Sequence, residues 1–146
     1  CVMGLGPIGL PTAVLFADKG VHVLAVDADR KVVESVAAGI PPLDEPGLRP
    51  MLQKALAAGT FAVANAPQAA DAYLIAVPTP LTPDKRANLG PLEAALTAVL
   101  PHLKPGALVV VESTLPPGAT MGMVAPLLAK SDLTLGKDLF LAYGPQ

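Results

Sequence analysis

Gly4-Leu5-Gly6-Pro7-Ile8-Gly9 decides how this chain folds. The apolar run Cys1–Met3 precedes it and the helix-like stretch Pro11–Lys19 follows it. Glycines spaced G-x-G-x-x-G between a strand and a helix have separate tasks. Gly4 permits the tight turn, Gly6 lets a pyrophosphate approach the backbone, and Gly9 lets the helix pack closely on the strand. The helix start then offers free N–H groups and a partial positive charge to phosphates. The next apolar run, His22–Val26, ends in Asp27, eighteen residues past Gly9. A carboxylate there can accept both hydroxyls of an adenosine ribose. It would repel a 2′-phosphate by about 1–4 kcal/mol near a protein surface, which favours NAD over NADP. Arg30, three residues on, complicates this, since it could meet a phosphate, but it reads rather as covering the adenine or as solvated. A ligand-free turn with a solvated Asp27 is the competing reading, and the agreement of spacing with strand context weighs against it.

The same alternation continues through the chain. Short apolar runs bounded by Gly, Pro, Asp or Asn recur at Phe61–Ala64, Ala72–Val77, Ala107–Val111 and Leu139–Tyr143, as buried parallel strands do. Between them Asp29–Ala38, Pro46–Ala58, Gly90–Leu100 and Met121–Lys130 are rich in Ala and Leu and read as helices. Asp29 is placed to cap the second helix, and Gly20, Gly39 and Gly59 are placed to end the first three. Six strands alternating with helices predict an α/β fold, a doubly wound parallel sheet in the order 3-2-1-4-5-6.

Composition excludes several other classes. The 146 residues suit one domain, residues 1–146, and 52% of them are hydrophobic against 15% charged, which excludes intrinsic disorder. Ten basic against twelve acidic residues leave no electrostatic footprint for nucleic acid or an anionic membrane. No apolar run is long enough to span a bilayer. One cysteine and two histidines, His22 and His102, support neither a disulfide framework nor a metal site. Cys1 reads as a small buried core residue, and both histidines read as surface residues. No signal peptide is visible, so the expected compartment is the cytoplasm. Residue 1 is not Met and a core strand stands three residues from the other end, so the chain is expected to be an excised domain.

Ligands of open parallel sheets bind beyond the carboxyl ends of the strands. There Ala72–Val77 is followed by Pro78-Thr79-Pro80-Leu81, which holds one hydroxyl in a stiff loop. Ala107–Val111 is followed by Glu112-Ser113-Thr114-Leu115-Pro116-Pro117-Gly118. Two hydroxyls and a carboxylate are expected to face the same crevice there. Each loop alone reads as a Pro-rich turn with capping hydroxyls. Both on the edge that carries the glycine loop read as the rim of an active site.

Five stretches carry a resemblance. Gly4-Leu5-Gly6-Pro7-Ile8-Gly9-Leu10-Pro11-Thr12-Ala13, Ile40-Pro41-Pro42-Leu43-Asp44-Glu45-Pro46-Gly47-Leu48, Val77-Pro78-Thr79-Pro80, Glu112-Ser113-Thr114-Leu115-Pro116-Pro117-Gly118 and Ala142-Tyr143-Gly144-Pro145 stand in this order. Together they resemble the NAD-binding domain of the UDP-glucose/GDP-mannose dehydrogenase family, leaning toward its UDP-N-acetylmannosamine dehydrogenase branch. The family oxidises C6 of a nucleotide-bound sugar from alcohol to carboxylate with two NAD in succession. The resemblance implies that the glycine loop (Gly4, Gly6, Pro7, Ile8, Gly9) and Asp27 hold NAD, with Arg30 near the adenosine. It implies that Thr79 lines the cofactor site near the ribose or nicotinamide. It places Thr114 by the reacting carbon, where it would orient a water or the substrate oxygen. The family's thiol, lysine and most UDP-sugar contacts belong to later domains, so this chain alone is expected to bind cofactor without turnover. A homodimeric parent is also implied. Two departures stand out. Pro7 replaces an aromatic residue, usually Tyr. Gln146 replaces a Glu associated with the hydrolytic half of the reaction, so slowed hydrolysis is expected unless another carboxylate, such as Glu112, serves. The alternatives are the NAD domain of a 3-hydroxyacid or 6-phosphogluconate type dehydrogenase, and a non-catalytic NAD-sensing module.

Overall fold

The computed structural model describes residues 1–144. Its strands are β1 Val2–Met3, β2 Val23–Val26, β3 Phe61–Ala64, β4 Ala72–Ile75, β5 Ala107–Val111 and β6 Leu139–Tyr143. All pair in parallel, in the order β3-β2-β1-β4-β5-β6. Val2 lies between Ala25 of β2 and Leu74 of β4, so the shortest strand holds the centre. Its brevity suits its place, because the ladder on both sides satisfies its backbone.

The helices are α1 Gly9–Asp18, α2 Arg30–Ala37, α3 Leu48–Ala58, α4 Gly90–Val99 and α5 Ala125–Leu128. Two hydrophobic cores result. Leu10, Val14, Val36 and Leu52 cover one face with Val2, Ala25 and Phe61. Leu92, Leu96, Val124 and Leu128 cover the other with Tyr73, Ile75, Val109, Val111 and Leu139. The strand order reverses beside β1, and this divides the two helical layers. Among the described residues no helix is long and apolar enough to cross a membrane.

Local chemistry explains most boundaries. The Asp29 side chain accepts from the Lys31 amide at 2.8 Å and starts α2. Gly59, at φ 72°, ends α3 in the left-handed conformation that a Cβ disfavours. Gly20 and Gly39 close α1 and α2 in the same way. Other boundaries move. α1 starts at Gly9 rather than Pro11, because proline is tolerated in a first turn whose amides lack partners anyway. β4 stops at Ile75. The Ala76 amide still bonds the Met3 carbonyl at 2.8 Å, but Pro78 and Pro80 beyond it cannot donate to a ladder. The expected helix over Met121–Lys130 is a π turn, Thr120–Val124, leading into the single α-turn of α5. Pro126 has no amide, and its ring would crowd the carbonyl of Gly122 four residues back, so the chain widens there. Cys1 is half-buried, packed against one core rather than inside it, because it precedes the central strand where a hollow opens at the amino-terminal strand ends. His22 is exposed and His102 half-buried.

Tyr73 joins β4 to the short β3–β4 crossover. It is fully buried, and its hydroxyl accepts from the Ala70 amide and donates to the His102 carbonyl, each at 2.9 Å. Burial pushes the phenol above its ordinary range. Tyr73→Phe leaves that amide and carbonyl unpaired. The expected cost is about 1–3 kcal/mol, seen by circular dichroism as a melting point lowered by roughly 3–10 °C.

Candidate functional site

A crevice of about 600 Å³ opens at the carboxyl ends of β2, β1, β4 and β5. Its floor is the glycine loop. Gly4 has φ 96°, and a Cβ there would lie 2.6 Å from the Ala76 carbonyl oxygen, so only glycine fits. Gly9 is buried beneath the loop, where a Cβ would overlap the Gly4 carbonyl oxygen. Gly6 is the opposite case. A Cβ there would meet no atom within 4 Å, because the backbone faces the open crevice. Among the described residues no side chain caps α1, and no acidic residue stands in its first turn. Among the described residues no hydrogen bond uses the amides of Gly6 or Ile8. Pro7 has no amide to offer, so the donors at this turn come from its neighbours. Two unpaired donors before an unobstructed glycine make a cradle for an anion such as a pyrophosphate.

Asp27 has a second task beyond the expected one. Its Oδ2 accepts from the Leu5 amide at 2.8 Å and its Oδ1 from the Asp29 amide at 2.9 Å. The carboxylate therefore ties the end of β2 to the glycine loop. Each oxygen keeps acceptor capacity for a ribose hydroxyl. Beside it Val32, Pro42 and Leu43 form an apolar wall suited to the face of a base. No periodicity marked these three, although Pro42 and Leu43 lie in one of the quoted motifs.

The loops after β4 and β5 are locked together. Thr79 Oγ1 donates to the Thr114 carbonyl at 2.8 Å. Ser113 is buried, and its hydroxyl donates to the Val77 carbonyl at 2.7 Å. The Leu115 amide donates to the Tyr143 hydroxyl at 3.1 Å. Thus of the two hydroxyls expected to face the crevice, Ser113 is spent on the backbone that follows β4, while Thr114 is exposed at the rim. Tyr143 had no assigned role, since a residue that anchors a loop from β6 leaves no local signal.

Seven of the expected site residues line the crevice: Gly4, Gly6, Pro7, Ile8, Asp27, Thr79 and Thr114. Arg30 does not. Its guanidinium pairs with Glu34 at 2.9 Å, one helical turn on, and both side chains are largely exposed. Gln146 lies outside the described residues. Glu112 also lines the crevice. Burial pushes its carboxyl above the ordinary glutamate range. A raised acid pKa means that the folded chain binds the proton more tightly. Glu112 therefore costs stability as pH rises from the ordinary glutamate value through the folded one. A second hollow, of about 480 Å³, lies at the amino-terminal strand ends near Cys1, His22 and Asp71, away from the glycine loop. Among the described residues no group of three His, Cys, Asp or Glu could hold a metal.

Sheet order, glycine loop and crevice define a doubly wound dinucleotide-binding domain. Residues 1–146 match the family model described as UDP-glucose/GDP-mannose dehydrogenase family, NAD binding domain, and the chain belongs to this family. Its cofactor is NAD. It is 39% identical over 149 residues to the UDP-N-acetyl-D-mannosamine dehydrogenase of Methanococcus aeolicus, covering all of this chain and 33% of that protein. The structure of the UDP-N-acetyl-mannosamine dehydrogenase of Staphylococcus aureus superposes with a TM-score of 0.96 at 37% identity, covering 99% of this chain and 36% of that one. A UDP-glucose dehydrogenase from Pyrobaculum islandicum superposes with a TM-score of 0.86 at 39% identity, over 99% of this chain and 35% of that one. The chain thus spans about a third of the length of the relatives it matches. These likenesses support the nucleotide-sugar dehydrogenase reading over the 3-hydroxyacid, 6-phosphogluconate and sensor readings.

Proposed function

We propose that residues 1–146 are the NAD-binding domain of a nucleotide-sugar 6-dehydrogenase, which oxidises the C6 alcohol of a UDP-sugar to the carboxylate with two NAD. The identity to UDP-N-acetyl-D-mannosamine dehydrogenases favours an N-acetylated hexosamine as the sugar. The observation that carries the reading is the open backbone at Gly6, with its own amide and that of Ile8 unpaired among the described residues and Asp27 in the same crevice. The Gly6 and Ile8 amides and the start of α1 would hold the pyrophosphate. Asp27 would take the adenosine ribose, and Val32, Pro42 and Leu43 would flank the adenine. Thr79 and Thr114, tied into one rim, would face the nicotinamide half and the substrate. When bound, NAD supplies a hydride acceptor. The chain's own part is to orient that acceptor and exclude water around it. The catalytic thiol and most UDP-sugar contacts would come from later domains of a longer, homodimeric parent. The cytoplasm, with its nicotinamide and UDP-sugar pools, is the compartment this reading implies.

Calorimetric titration of the chain tests the cofactor site. NAD should bind more tightly than NADP, because Asp27 would meet the 2′-phosphate at a cost of about 1–4 kcal/mol. Asp27→Asn keeps the shape and one acceptor but removes the charge, so the gap should narrow. Equal affinity of the native chain for the two cofactors would overturn the assignment of Asp27.

A further inference from the structure

One polar group in the crevice has no use in the reading above. Glu112 follows β5, and its amide donates to the Ile75 carbonyl at 2.9 Å. Its Oε2 is shut off from solvent and has no hydrogen-bond partner among the described residues. Glu112 is half-buried as a residue, but a polar atom shut off from water gives up its hydration for nothing when it is unpaired, so such atoms nearly always have partners. The other charged side chains lining the crevice are Asp27 and Asp29, both acidic. No lysine or arginine lines it among the described residues. Among the described residues Oε2 of Glu112 therefore has neither a cation nor a donor.

The place of Glu112 along the sheet edge says what would supply one. Asp27 follows β2, the glycine loop follows β1, Thr79 lies beyond β4 and Glu112 follows β5. Three strand intervals, roughly 14 Å, separate the first of these from the last. A dinucleotide with its adenosine ribose at Asp27 and its pyrophosphate on the glycine loop extends toward β5 with its nicotinamide end. The oxidised ring is cationic and carries a carboxamide N–H. The reduced ring keeps the carboxamide and loses the charge.

We propose that Glu112 selects the redox state of the cofactor, its carboxylate holding the oxidised, cationic nicotinamide more tightly than the reduced one. This rests on the NAD reading of the crevice. The oxidised ring would bring an opposite charge toward a carboxylate whose Oε2 has no partner among the described residues. Reduction removes that charge and leaves the carboxylate uncompensated again, which favours release of the reduced form. A protein that uses two NAD in succession must exchange reduced for oxidised cofactor between its two oxidations, and such selection drives the exchange in the right direction.

The test is calorimetric titration of the native chain, Glu112→Gln, Glu112→Asp and Asp27→Asn with NAD+ and with NADH. Opposite charges a few ångströms apart near a protein surface change a binding constant by about tenfold or more. Glu112→Gln should therefore weaken NAD+ by about 10- to 100-fold and NADH by less than about threefold. Glu112→Asp, which keeps the charge, should retain a preference for NAD+. The glutamine variant also removes a partly desolvated charge, so its melting point at neutral pH should equal or exceed the native one, which separates lost affinity from lost fold. An unchanged ratio of NAD+ to NADH affinity in Glu112→Gln, with NAD+ still binding, overturns the selector and leaves the crevice assignment standing. Failure of the native chain to bind either cofactor, or binding of both that Asp27→Asn leaves untouched, overturns the crevice assignment and the selector with it.

Discussion

Gly9→Ala should strongly destabilise the chain, although helix propensity alone predicts the reverse. Gly9 is the first residue of α1, and alanine is about 1 kcal/mol better than glycine within a helix. The added Cβ would overlap the Gly4 carbonyl oxygen and press on the Ala76 side chain at 3.2 Å. Neither neighbour can yield cheaply. Gly4 is held by a 2.8 Å bond from its amide to the Val26 carbonyl, and Ala76 by its bond to Met3. Relief therefore requires α1 to lift from β1, which would open the core that holds Leu10, Ala13 and Val14. Backbone overpacking of this kind costs about 3–5 kcal/mol, more than the gain in propensity. The expected melting point is roughly 10–20 °C lower, measured by circular dichroism. A shift under about 3 °C would show that the loop can rearrange and that Gly9 is not the packing contact it is taken for.

The second large effect is on binding and spares the fold. Gly6→Ala should leave the melting point unchanged or slightly raised. The position has no positive φ and no atom within 4 Å of the added Cβ, and alanine restricts the unfolded chain by about 0.4–1 kcal/mol. The methyl would occupy the space in front of the unpaired amides and hold a pyrophosphate away from them. Each charge-assisted hydrogen bond lost is worth about 1.5–3 kcal/mol, so NAD affinity should fall by about 10- to 100-fold or more. Titration calorimetry beside a thermal melt reads both quantities. Undiminished NAD binding in a folded Gly6→Ala chain would move the pyrophosphate elsewhere. Two glycines three residues apart thus predict opposite outcomes, one for stability and one for affinity.

The strands were legible because each had to be apolar. Ala107–Val111 is buried between two neighbours, and its runs of Val and Leu carry no competing pattern. The glycine loop was legible because turn, approach and packing each demand a missing Cβ, at fixed spacing. Helix starts and stops followed local capping chemistry at Asp29 and Gly59. The last helix did not. Its composition favours an α-helix, but Pro126 acts on a carbonyl four residues back, a steric effect that composition does not register.

Within the site, residue types at strand ends indicated where chemistry should lie but not how each side chain is spent. Asp27 was readable as a ribose acceptor, while its bond to the Leu5 amide depends on the distance between the ends of β1 and β2. The lock of Thr79 on Thr114, of Ser113 on Val77 and of Tyr143 on Leu115 joins segments 28 to 36 residues apart. Arg30 turns to Glu34 because its nearest opposite charge lies one helical turn away on its own helix. Glu112 stood in plain view as a carboxylate in a candidate rim. Only the tertiary packing shuts its Oε2 off from solvent and leaves that atom without a partner among the described residues. The sequence by itself determined the sheet, its order and the phosphate turn, because these follow from local polarity and from where a Cβ is absent. The tertiary structure decided which polar groups are spent on holding the loops and which remain for a ligand, because hydrogen bonds and desolvation depend on distances between strands that sequence separation does not encode.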